Sequence, residues 1–75
     1  MKPTLFSKND CVNCDATKAD LDKLEVEYSV VNISENPEYI DQLRALGFRG
    51  APVMVTPKGA WAGYKPEKIQ EVFGA

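Results

Sequence analysis

Leu5-Phe6-Ser7-Lys8-Asn9-Asp10-Cys11-Val12-Asn13-Cys14-Asp15-Ala16 is the stretch on which the reading of this chain turns. An apolar pair, a polar connection and two cysteines three residues apart lead into the helical-looking run Ala16 to Leu24. The sequence holds 2 cysteines, and both are here. Sulfurs at that spacing can be bonded across one helical turn. The first then sits at the exposed, electropositive end of the helix and the second behind it. Reversible dithiol chemistry needs that arrangement.

Outward from this stretch the chain alternates short elements. Lys2 to Ser7 reads as a strand and Lys8-Asn9-Asp10 as a polar connection to a helix starting near Cys11. Cys14, Thr17, Leu21 and Leu24 recur at helical spacing, which predicts that Cys14 shares the buried face while Cys11 stays at the end. Glu27 to Ile33 is expected to be a strand buried on both faces, centred on Val30, Val31 and Ile33, and paired parallel to the first. Asn36 is expected to cap a second helix, with Pro37 at its first position, Ile40, Leu43 and Leu46 inward, and Gly47 as the stop. Val53 to Thr56 and Ala60 to Ala62 read as an antiparallel hairpin joined by Thr56-Pro57-Lys58-Gly59. Pro66 opens a last helix with Ile69, Val72 and Phe73 as its apolar stripe and Gly74 as its end. The order β-α-β-α-β-β-α predicts an α/β, thioredoxin-like fold: one four-stranded mixed sheet flanked by three helices, a single domain over residues 1–75.

Composition narrows the function classes. At 75 residues the chain lies near the lower limit for a self-sufficient hydrophobic core. Its 44% hydrophobic content is ordinary, and a net charge of −2 gives no basic footprint for nucleic acid or an anionic membrane surface. No apolar run approaches the roughly 18 residues of a membrane span, and Met1-Lys2-Pro3-Thr4 leads into a strand instead of a leader core. The expectation is a cytoplasmic monomer. A single close cysteine pair also suits a reducing compartment better than a secreted scaffold.

The dithiol has two plainer readings. As a fixed staple it closes a loop of about four residues, contributing roughly 2 kcal/mol against about 3 for fifteen residues, so stability alone is a weak reason for it. As half of a zinc site it lacks partners, because a closed tetrahedral site takes four ligands and the chain has no histidine. Redox use assigns Cys11 as nucleophile and Cys14 as resolving thiol. A free cysteine titrates near about 8.5, and a helix N-terminus or a nearby cation such as Lys8 lowers that. With no histidine as base, activation is electrostatic. Pro52 is the second candidate. X–Pro bonds in folded proteins are cis in only about 5–6% of cases. In a thioredoxin-like layout, however, this loop packs beside the dithiol, and a cis Ala51-Pro52 bond leaves the Ala51 backbone free for an extended partner segment, so cis is expected here. Val12, Ala51 and Trp61 are expected to form an exposed apolar rim for docking, although Trp61 taken alone reads equally as core packing.

Three segments carry a family resemblance: Cys11-Val12-Asn13-Cys14-Asp15-Ala16-Thr17-Lys18, Ala45-Leu46-Gly47-Phe48-Arg49-Gly50-Ala51-Pro52-Val53 and Trp61-Ala62-Gly63-Tyr64-Lys65-Pro66-Glu67. Together they resemble the NrdH-redoxins, glutaredoxin-like in sequence and thioredoxin-like in activity. The resemblance covers essentially the whole chain. It implies an electron donor whose partners are the large subunit of class Ib ribonucleotide reductase and NADPH-dependent thioredoxin reductase. No bound cofactor or metal is implied; the redox group is the Cys11–Cys14 disulfide. By position Pro52 is the family's cis-proline, and Val12, Asn13, Ala51, Trp61, Gly63, Tyr64 and Lys65 fall in partner-facing segments. The family usually carries Gln at position 13, Ser at 62, Phe at 64, Arg at 65 and Asp at 67, and Gln is common at 50. Lys65 in place of Arg exchanges a bidentate donor for a point charge. A glutathione-dependent glutaredoxin or iron–sulfur carrier is the rival reading, and a non-catalytic interaction module a third. Glutaredoxins usually have Thr-Val-Pro where this chain has Gly50-Ala51-Pro52, and Gly-Gly followed by an acid where it has Ala62-Gly63-Tyr64-Lys65.

Overall fold

Two apolar clusters on opposite faces of one sheet organise the chain. A computed structural model describes residues 2–74; residues 1 and 75 of the expected 1–75 domain lie outside the described residues. The elements are β1 (Thr4–Ser7), α1 (Val12–Lys23), β2 (Ser29–Asn32), α2 (Glu38–Ala45), β3 (Val53–Thr56), β4 (Gly59–Ala62) and α3 (Pro66–Phe73). Sheet order is β2-β1-β3-β4, with β1 parallel to β2 and the β1–β3 and β3–β4 pairs antiparallel. This is the expected thioredoxin-like layout.

Strand alternation assigns the two faces. Leu5 of β1, Met54 of β3 and Trp61 of β4 point to one side, where Leu21 of α1 and Ile69 of α3 complete a buried cluster. Phe6, Val53, Val55 and Ala62 point to the other side, against Ile33, Ile40 and Leu43 on and before α2. Leu43 is fully in this core, and the Phe6 and Tyr39 rings meet at 5.6 Å between centroids. Val72 and Phe73 pack against the first cluster as the apolar stripe of α3 predicts.

Helix ends follow local chemistry. At the end of α2, Gly47 takes φ +92°, its N–H reaches Arg44 O at 2.9 Å, and Phe48 N–H reaches Leu43 O at 2.9 Å. Those two bonds make a Schellman motif, in which glycine is the favoured left-handed residue. The end of α1 is built the same way: Glu25 N–H bonds Asp22 O and Val26 N–H bonds Leu21 O, each at 3.0 Å. Here the left-handed position, φ 58°, is held by a glutamate.

Several sequence expectations are corrected. The first strand is shorter than Lys2 to Ser7, and the hairpin's second strand begins at Gly59. The second strand spans Ser29–Asn32 and is not buried on both faces: Val30 is 47% exposed, because β2 is a sheet edge with a neighbour on one side only. Asn36 does not cap α2. Pro37 holds the cap position with no side-chain bond, and the Asn36 amide donates to Asn32 O at 2.9 Å. Leu46 is 66% exposed, since α2 ends at Ala45 and Leu46 turns outward at the cap. Trp61 is a core residue, not part of an exposed rim, because its place on β4 aims it inward between Met54 and Ile69.

Candidate functional site

The dithiol lies at the carboxyl end of β1, where the chain leaves the sheet and enters α1. Cys11 is the N-cap of α1, with extended backbone at φ −118° and ψ 101°. Its Sγ accepts a hydrogen bond from Cys14 N–H at 3.1 Å, the place an N-cap oxygen ordinarily fills. Cys11 and Cys14 are joined in a disulfide, with Cα atoms 5.2 Å apart. Cys14 has no exposed surface, and Cys11 keeps 9%. Cys11 is therefore buried, not exposed as expected for a helix end, since the bonded sulfur is folded back onto the first turn. The difference between the two sulfurs runs in the expected direction.

Around the disulfide, Val12 is 82% exposed and Asn13 is exposed. The Asn13 carbonyl accepts from the Thr17 hydroxyl at 2.8 Å, which holds the first turn of α1 closed. The Ala51–Pro52 bond is cis, as the sequence predicts; Pro52 is fully buried and Ala51 half-buried. Gly63, at φ +85°, donates its N–H to Pro52 O at 2.8 Å, so the segment after β4 is tied directly to the proline. Tyr64 is half-buried against the core and donates to Asp20 Oδ2 of α1 at 2.7 Å. Lys65 is exposed at the N-cap of α3.

The structure bonds Cys11 to Cys14 and, separately, Gly63 to Pro52, leaves Val12 and Asn13 on the surface, and withdraws Trp61 into the core. Beside Ala51 a groove is lined by Lys8, Ile40, Arg44, Phe48 and Arg49. The one ion pair among the described residues is Lys68–Glu71 at 3.6 Å, so these three cations are not neutralised by a carboxylate there. Among the described residues no three His, Cys, Asp or Glu side chains stand together as a metal ion would need, and no helix is long and apolar enough to cross a membrane.

The residues that hold the loop before Cys11 carry no signature in the local sequence. Asn9 and Asn32 are bonded through their side chains, and Asn9 N–H donates to Ser34 Oγ at 3.1 Å. Their separation in the chain, 23 and 25 residues, leaves no local signal. The parallel register that sets Ser7 opposite Asn32 is what brings them together.

The glutaredoxin family model matches residues 4–58. The chain is 35% identical over 75 residues to the glutaredoxin-like protein NrdH of Escherichia coli strain K12, covering 100% of this chain and 93% of that protein. It is 33% identical over 69 residues to the protein of the same name from Lactococcus lactis subsp. cremoris, covering 92% and 96% of the two. The solved structure of E. coli NrdH-redoxin, described as a glutaredoxin-like protein with a thioredoxin-like activity profile, superposes with a TM-score of 0.92 at 35% identity, covering 100% of this chain and 99% of that one.

Proposed function

The chain belongs to the glutaredoxin family, among its NrdH-redoxins, and is a thiol–disulfide oxidoreductase; on that premise we propose that it donates electrons to a class Ib ribonucleotide reductase and is re-reduced by NADPH-dependent thioredoxin reductase. The observation that carries the redox reading is the Cys11–Cys14 disulfide at the N-cap of α1, with Cys14 N–H directed at Cys11 Sγ. The same N–H and the helix dipole stabilise a negative sulfur at Cys11, so the thiolate needed for attack forms without a general base. Asp15 in the first turn places a like charge at the same helix end and opposes this.

In the reduced protein the Cys11 thiolate attacks one sulfur of the target disulfide. A Cys11–target bond forms and the target's other sulfur leaves as a thiolate. Cys14 then gives up its proton and attacks Cys11 Sγ, which forms the Cys11–Cys14 bond and releases the second target thiolate. Two electrons pass to the target, and protons from solvent complete its two thiols. Holding Cys14 one turn away makes the second step intramolecular. No bound cofactor enters this cycle. Val12, Asn13 and Ala51 form the proposed docking edge, with buried Pro52 setting the course of the Ala51 backbone that an extended target segment would pair with. Gly63 is tied to that edge through its bond to Pro52, and Tyr64 and exposed Lys65 follow it in the same segment. Trp61 is buried in the core cluster with Met54 and Ile69.

The choice of reductase rests on residues that a glutathione clamp would use. Gly50-Ala51-Pro52 and Ala62-Gly63-Tyr64-Lys65 offer neither the threonine hydroxyl nor the acidic side chain of the usual glutaredoxin pattern. A paired-reductant assay tests the proposal. NADPH with thioredoxin reductase should sustain turnover on the reductase disulfide, while glutathione with its own reductase should sustain little. Cys11→Ser should abolish turnover and Cys14→Ser should trap a mixed disulfide. Rapid turnover with glutathione and none with thioredoxin reductase would reverse the assignment.

A further inference from the structure

We propose that the Asn32 carboxamide is a positioning group for the dithiol: acting through Asn9, it holds the loop that presents Cys11 Sγ to the amides of α1. The inference rests on Cys11 being the attacking sulfur. Asn32 ends β2, one helix and one strand after Cys11 in sequence, and its side chain joins the two loops at this end of the sheet. Asn32 Oδ1 accepts from Ser34 N–H at 2.8 Å and from Glu35 N–H at 3.2 Å. Main-chain N–H groups can only donate, so the oxygen of the carboxamide must face them and Nδ2 must face Asn9. Asn32 Nδ2 donates to Asn9 Oδ1 at 2.9 Å, and Asn9 N–H donates in turn to Ser34 Oγ at 3.1 Å. Asn32 O is engaged as well, by Asn36 N–H and Asn36 Nδ2, both at 2.9 Å. Asn32 is therefore held from the β2–α2 side and has one donor directed across to the dithiol loop.

The loop needs holding. Between Asn9 and Cys11 the backbone passes through Asp10 at φ 53°, a left-handed conformation that aspartate tolerates better than most residues with a Cβ but that still lies above the right-handed and extended alternatives open to a free loop. Cys11 must then be extended for its sulfur to meet Cys14 N–H. A loop free to leave the Asp10 conformation turns Cys11 away from that amide. Asn9 is the last residue before this bend whose side chain and main chain are both tied to another element.

The test reads Cys11 alone, in a Cys14→Ser background, as the rate of attack on a small aromatic disulfide and the pH midpoint of alkylation by iodoacetamide. Asn9→Ala removes the acceptor for Asn32 and leaves its main-chain bond to Ser34. It should slow attack about two- to tenfold, the range covered by loss of one ordinary hydrogen bond, and move the alkylation midpoint to higher pH. Asn32→Ala should do the same, and the double variant should lose no more than the larger single loss. The charged groups next to Cys11 in the chain, Lys8, Asp10 and Asp15, are the same in every variant. A wild-type rate in Asn9→Ala, a slower rate with an unmoved midpoint, or additive losses in the double variant would each overturn the proposal. If Cys11 of the unaltered loop fails to attack at all, it is the reading of Cys11 as nucleophile that has failed.

Discussion

The Tyr64 hydroxyl donates a 2.7 Å hydrogen bond to Asp20 Oδ2, joining the segment after β4 to the last turn of α1 across 44 residues of sequence. That bond raises the Tyr64 phenol above its usual 10.0; desolvation and the charges of Asp20 and Glu67 act in the same direction. A pKa raised on folding gives stability that is complete below the unfolded value and lost as pH climbs through the folded one. Tyr64→Phe should therefore lower the melting midpoint by a few degrees at neutral pH, and the gap should shrink above pH 10. Parallel melts of both proteins across that range check it. An equal gap at every pH would detach the bond from the stability of this corner.

Trp61 tests the division between core and docking edge. Its indole Nε1 is buried without a partner among the described residues, a cost that phenylalanine would not carry. Trp61→Phe should unfold within about 1.5 kcal/mol of the parent and keep turnover within about threefold, whereas Trp61→Ala should cost about 3–5 kcal/mol. Denaturant melts alongside steady-state turnover distinguish these outcomes. Loss of turnover in a stable Trp61→Phe protein would return the residue to the docking edge.

Val12 should behave in the opposite way. Being 82% exposed, it contributes little to the folded core, so Val12→Ser should leave the melting midpoint nearly unchanged. If a target segment covers it, the same change should raise KM for a protein disulfide by about three- to tenfold, as loss of a modest apolar contact does. Turnover on a small-molecule disulfide is the control and should be unaffected.

Glu25 occupies the left-handed position of a Schellman motif in which Val26 and Leu21 both belong to the core cluster. Glycine pays no Cβ penalty there. Glu25→Gly should stabilise the protein by up to about 1 kcal/mol, the entropy of a more flexible unfolded chain offsetting part of the relief. Urea melts would show a higher midpoint at constant slope; a lower one would mean that Glu25 makes a compensating interaction.

Reduction of the disulfide should be a small structural event. A loop of about four residues constrains the unfolded chain by roughly 2 kcal/mol, so the reduced protein should stay folded with a modestly lower urea midpoint. Loss of the folded state on reduction would make the disulfide a staple first and a redox group second.

The sequence alone determined what depends on short spacing. Cys11 and Cys14 at the mouth of a helix, Gly47 as a helix stop, Pro66 as a helix start and the β-α-β-α-β-β-α order are each written in local runs of a few residues, because turn and helix sterics act at that range. Which surfaces are covered was decided by tertiary structure. Val30 and Leu46 look like core residues in their local patterns and stand exposed, since coverage depends on which strand is the edge and where α2 stops. Trp61 is taken inward by the pairing of β4 with β3, and Tyr64 meets Asp20 because α1 and α3 share a sheet face. The bond between Asn9 and Asn32 exists because two parallel strands end side by side, a juxtaposition that no local periodicity encodes.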